Sequence, residues 1–121
     1  MPGRKRKPAP LRYWLSALKD CIERRFVQVG HSMYTDRRVQ SLSYSARWVL
    51  QCCADMSAGA ESFTFPAAKA KQDYGIAHGT FTNAMKELRK AGFIEIVASG
   101  KNFSGPTEYR FSRIWRGESA P

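Results

Sequence analysis

Histidine is scarce and carboxylates are spread thin in this chain, which removes most routes to catalysis. The two histidines, His31 and His78, are far apart, and the ten Asp and Glu residues form no group from which a general acid and base can be nominated. There is no Cys-x-x-Cys or His-x-x-x-His spacing and no glycine-rich loop followed by Lys-Ser/Thr. A metal centre and a phosphate-binding loop are therefore not expected, and the reading is of a protein that is not an enzyme and needs no cofactor. Cysteine is limited to Cys21, Cys52 and Cys53, an odd number with two adjacent, which argues against a disulfide framework and for reduced thiols. No apolar run approaches the roughly 20 residues of a membrane helix. The basic N-terminus is followed by proline and an amphipathic segment rather than a signal-peptide core. A cytoplasmic location is expected, nucleoid-associated if the host is bacterial.

What the chain does have is positive charge: twenty Lys and Arg, a formal net charge of +10. Half of that excess comes from Arg4, Lys5, Arg6, Lys7 and Arg12. Residues 1–10 contain three prolines and a glycine but almost no bulky apolar group, so they cannot repay the entropy of ordering and are expected to form a flexible arm. Such an arm suits a phosphate backbone or a minor groove. The alternatives are a solubilising tail or, in a eukaryotic host, a nuclear import signal. At 121 residues and 43% hydrophobic, the remainder can bury one core, expected as a single domain over residues 11–116 with a short tail at 117–121.

Within that domain, Leu11, Leu15, Leu18, Ile22 and Phe26 recur at three- and four-residue steps, with Trp14 beside them, which predicts an amphipathic helix over residues 11–25. Phe26 to Val29 reads as a short strand. Ser43 is an N-cap for a helix running to about Met56, with Gly59 as its stop and Ala46, Val49, Leu50, Cys53 and Met56 on its apolar side. Trp48 lies off the centre of that side and is expected to be a partly buried packing group.

Residues 65–98 carry the strongest pattern. A first helix ends at Gly75, which suits the left-handed turn, and Ile76 offers an apolar plug. In the next helix Phe81, Ala84, Met85 and Leu88 fall at i, i+3, i+4 and i+7, while Thr82, Asn83, Lys86, Arg89 and Lys90 occupy the opposite face. Every charge on that face except Glu87 is positive. Gly92 ends the helix, Phe93 to Val97 favour a strand, residues 100–106 read as a hairpin loop, and Glu108 to Ser112 form the return strand with Tyr109 and Phe111 on one face. The expected fold class is α+β, mainly α: a winged helix-turn-helix with a C-terminal β-hairpin wing.

These residues resemble a known group, the small winged-helix proteins of bacteriophages and integrative mobile elements, similar in pattern to the N-terminal DNA-binding modules of plasmid replication initiators. The matching positions are Leu42-Ser43 with Ala46 to Leu50, Phe63 to Pro66, Gly75-Ile76, Thr80-Phe81, Glu87-Leu88 with Gly92 to Ile94, and Tyr109 to Ser112 ending at Trp115. The resemblance spans roughly Phe26 to Arg116. It departs from the group at Ala77, where serine is common, so a usual N-cap is missing. Losing such a cap costs about 1 kcal/mol. Thr80 is an alternative start, leaving His78 and Gly79 in the turn.

The functional expectation is a sequence-specific double-stranded DNA-binding protein, a transcriptional regulator or a replication or mobilisation accessory factor of a mobile element. Thr82, Asn83 and Lys86 would read the major groove, with His78, Gly79 and Thr80 near the helix start and Arg89 and Lys90 on the same face. His78 reads equally well as a solvated turn residue. Lys69 and Lys71 on the preceding helix, Lys101 and Asn102 at the wing tip, and Arg4, Lys5, Arg6 and Lys7 would hold phosphates or the minor groove. The alternative is a protein-interaction module that binds a host or replication protein on the same scaffold. Such a module should carry exposed aromatics or Met on the helix face, and none is there. A homodimer stays open, with residues 11–25 or the Trp115 region as the seam.

Overall fold

The structure, a computed structural model, describes residues 9–99 and 105–118. Arg4 to Lys7, Lys101 and Asn102, expected to touch DNA, lie outside the described residues. The elements run α1 (His31–Thr35), α2 (Arg37–Gln40), α3 (Tyr44–Ser57), β1 (Ser62–Thr64), α4 (Ala67–Tyr74), α5 (His78–Lys90), β2 (Ile94–Ala98) and β3 (Glu108–Phe111), with single 3-10 turns at Tyr13–Leu15 and Ile114–Arg116. The class is α+β, with a three-stranded antiparallel sheet in the order β1-β3-β2. No helix among the described residues is long and apolar enough to cross a membrane.

The expected α3 is present. The Ser43 side chain accepts a hydrogen bond from the Ala46 N–H, and the helix closes on Ala58, in the left-handed conformation, followed by Gly59. Its buried stripe of Ala46, Val49, Leu50 and Cys53 packs on the apolar stripe of α5, Phe81, Ala84, Met85 and Leu88. Phe63 and Phe65 fill the space between helices and sheet: Phe63 meets Tyr109 and Phe111, and Phe65 meets Tyr74 and Phe81 edge-on. Tyr109 and Phe111 thus share the inward face of β3, as their alternation predicts. On the other face Arg110 pairs with Glu95 across the β2–β3 ladder. A register shift between Ile96 and Ala98 leaves Val97 as an extra residue in β2.

The N-terminal expectations fail. Residues 11–25 form no α-helix beyond the 3-10 turn at Tyr13–Leu15, and Phe26 to Val29 form no strand. The strand that pairs with the return arm of the hairpin is β1, with Phe63 opposite Tyr109. The cause is the lack of a docking surface: Trp14, Leu15, Leu18, Ile22 and Phe26 are all exposed, so the amphipathic pattern has no core to bury its apolar face in. A short helix without tertiary packing is marginal in water. Two short helices that sequence periodicity missed, α1 and α2, occupy residues 31–40 instead. Asp36 caps α2 by accepting from the Arg38 N–H, and the Arg38 guanidinium, paired with Asp36, lies 5.2 Å from the centre of the Trp115 ring. Trp115 in turn stacks on Phe93 with ring centroids 4.6 Å apart. Trp48, expected to be partly buried, is 56% exposed.

Candidate nucleic-acid interface

Local chemistry sets the angle and length of α5. Gly75 ends α4 at φ +67°, which carries no penalty for glycine, and the N–H groups of Gly75 and Ile76 donate back to Lys71 and Ala70. Ile76 is buried, so the turn is pinned to the core. Ala77 is the N-cap of α5 and supplies no side-chain acceptor. The helix nonetheless begins at His78, which corrects the alternative start at Thr80: His78 and Gly79 lie in the first turn. Packing of the four buried residues on α3 and α4 outweighs the missing cap.

At its other end α5 stops in a Schellman arrangement, with Gly92 N–H donating to the Arg89 carbonyl at 3.1 Å and Phe93 N–H to the Leu88 carbonyl at 2.9 Å. Gly92 is required twice over. Its φ is +85°, and a Cβ there would stand 3.0 Å from both Ile114 Cγ2 and the Trp115 nitrogen.

On this helix, His78, Gly79, Thr80, Thr82, Asn83, Lys86, Arg89 and Lys90 are all exposed. By the 3.6-residue period, Gly79, Asn83, Lys86 and Lys90 form the stripe farthest from the buried face. Arg89 lies toward the sheet: burial pushes the Tyr109 phenol up, and the nearby Arg89 charge opposes that shift. Glu87 lies on the other flank. It accepts hydrogen bonds from both the Ser43 N–H and the Ser43 hydroxyl, each at 2.7 Å, at the start of α3. The one carboxylate of α5 is thereby tied to another helix, and the outer stripe is left with polar and cationic groups alone. On sequence alone Glu87 is the exception on a positive face and Ser43 a helix cap; their contact exists only in the fold.

The α4 lysines differ from each other. Lys69 Nζ is 2.9 Å from Asp73 Oδ2, so its charge is partly compensated, while Lys71 is exposed in the last turn. α4 is held to α3 by Tyr74, whose hydroxyl donates to Asp55 Oδ2 at 2.6 Å, with Arg25 beside the same carboxylate.

Chemically this surface presents hydrogen-bond donors, an amide and cations. Burial pushes the thiol of Cys52 up to about 11 and that of Cys53 to about 12, so both are held as protonated core groups. Among the described residues no three His, Cys, Asp or Glu side chains gather where they could hold a metal ion. Compared with family models, curated proteins and solved structures, the chain finds no match in any of the three.

Proposed function

We propose that this chain is a winged-helix protein that binds double-stranded DNA sequence-specifically, with α5 as the recognition helix and the β2–β3 hairpin as the wing. The arrangement supporting the fold assignment is the order α3-β1-α4-α5-β2-β3 with the first short strand paired outside the hairpin. The observation that carries the functional reading is the outer stripe of α5. Asn83 and Lys86 stand there with Thr82 beside them, and Glu87, the one carboxylate of α5, is turned to Ser43 on the flank and away from that stripe. Asn suits a bidentate pair with adenine and Lys suits guanine or a phosphate. The biological role proposed is transcriptional regulation, or replication or mobilisation support, in a mobile element.

The test is selection of bound duplexes from a fragmented genomic library, followed by affinity measurements on the selected and a scrambled duplex at two salt concentrations. A selected site bound at least about a thousand-fold more tightly than scrambled sequence is expected of specific readout. Equal binding to both duplexes would overturn specificity, and no binding to either would overturn the DNA reading.

A second reading, a protein-interaction module, draws on one observation: Tyr13, Trp14, Leu15, Leu18 and Phe26 are between 49% and 78% exposed within one short segment. Exposed apolar clusters of this kind mark contact surfaces. Light scattering of the protein alone distinguishes a homodimer from a monomer, and the same measurement after deletion of residues 1–26 shows whether this segment is the seam.

A further inference from the structure

Glycine inside a helix calls for a reason, and among the described glycines Gly79 is the one for which the protein itself supplies none. Gly59, Gly75, Gly92, Gly105 and Gly117 all have positive φ, and Gly30 is the N-cap of α1, a position glycine fills readily. Gly79 differs. It lies within α5, has no left-handed φ, and a Cβ built on it would meet nothing within 4 Å. Gly79 is the second residue of α5, in its first turn, where glycine still gives up more backbone freedom on folding than alanine. The fold would accept alanine there and be no less stable for it.

The bareness is also placed where it matters. Gly79 begins the outermost stripe of α5, one turn before Asn83, and Ala77 stands two residues before it, so the end of the helix that leads toward a groove carries little bulk apart from His78. A missing side chain at an exposed position has a physical use when another molecule's surface must approach the backbone closely.

Resting on the DNA reading above, we infer that Gly79 is the point of closest approach between α5 and the duplex, and that its missing side chain sets the depth at which Asn83 and Lys86 reach the base edges. The determinant is steric. It adds no charge and no hydrogen-bonding side chain, so it acts on specific binding through fit and leaves phosphate attraction untouched.

The experiment compares full-length protein with Gly79→Ala and Gly79→Leu, measuring Tm, affinity for the selected duplex, affinity for a scrambled duplex, and the salt dependence of each. Gly79→Ala should leave Tm unchanged or raise it, while weakening binding to the selected duplex on the order of ten-fold, the scale of one intruding methyl group in a close-packed contact. Gly79→Leu should weaken it further. Scrambled-duplex affinity and the salt slope should stay as in the unsubstituted protein, since no charge is altered. A Gly79→Ala protein that binds the selected duplex at full strength overturns the inference alone. A fall in Tm overturns it as well, by assigning the glycine to the fold. An unsubstituted protein that selects no duplex overturns the DNA reading and this inference with it.

Discussion

Glu87, in the recognition-helix candidate, closes the start of α3 by accepting two 2.7 Å hydrogen bonds from Ser43, 44 residues earlier in the chain. Ser43 in turn caps its own helix through the Ala46 N–H at 3.1 Å. One carboxylate and one hydroxyl therefore join the scaffold helix to the helix that presents the polar stripe, and they do so at the edge of the shared core. Bonds to an ionised acceptor are stronger than neutral ones, and the start of a helix favours a negative charge.

Breaking this link should lower stability and loosen α5. Ser43→Ala and Glu87→Ala are each expected to cost about 1–2 kcal/mol in urea unfolding, the range for a lost cap or a hydrogen bond to a charged group. The double variant should cost less than the sum of the two, because both changes remove the bond between the Ser43 hydroxyl and the Glu87 carboxylate. Strict additivity in that cycle would show that the two residues act independently.

Base readout makes a separate demand. Asn83→Ala and Lys86→Ala should each weaken binding to the selected duplex by about 1–3 kcal/mol and flatten the preference over the scrambled one. Both side chains are exposed, so Tm should move little. Equal losses on both duplexes would reassign the two residues to backbone contacts.

The basic arm and the wing tip should contribute affinity blind to sequence. Removing residues 1–10 deletes Arg4, Lys5, Arg6 and Lys7. If all four displace counterions, the slope of log affinity against log salt becomes shallower by up to about 3.6, from about 0.9 per phosphate contact. Lys101→Ala should act in the same sense, by about one contact, with thermal stability unchanged. An unchanged slope in the truncated protein would leave the arm as a solubilising or targeting segment.

Strong acid should act on the corner where α2 meets the C-terminal turn. The side-chain hydrogen bond from Arg38 holds the Asp36 carboxyl at about 2, against an ordinary 3.8. Because the folded value is depressed, the stabilisation from ionised Asp36 is complete above 3.8 and is lost as pH falls through about 2. Asp36→Asn should therefore flatten the dependence of Tm on pH within that window and lower Tm at neutral pH, where the contribution of the ionised group is complete. Since Arg38 lies over Trp115, the fluorescence of that residue should shift over the same window in the unsubstituted protein. A tryptophan signal constant down to pH 2 would separate the ion pair from the ring.

Local chemistry was readable from the residues alone. Ser43 as a cap, Gly75 and Gly92 as helix ends, the buried stripe Phe81, Ala84, Met85 and Leu88, and the inward pair Tyr109 and Phe111 all follow from side-chain preference and period, which act within a few residues. The polar outer stripe of α5 followed with them, being the complement of the buried one. Only tertiary structure decided the rest. The pattern at Leu11, Leu15, Leu18 and Ile22 is as good a helical stripe as that of α5, yet it forms no helix, because periodicity specifies a face and cannot specify whether the chain has a surface to cover it. Which short segment pairs with β3 was equally hidden: the residues suggest a short strand at Phe26 to Val29, whereas packing of Phe63 against Tyr109 and Phe111 puts Ser62–Thr64 beside β3. The destination of the Glu87 charge depended on bringing Ser43 alongside α5, a relation between distant residues that exists once the core has closed.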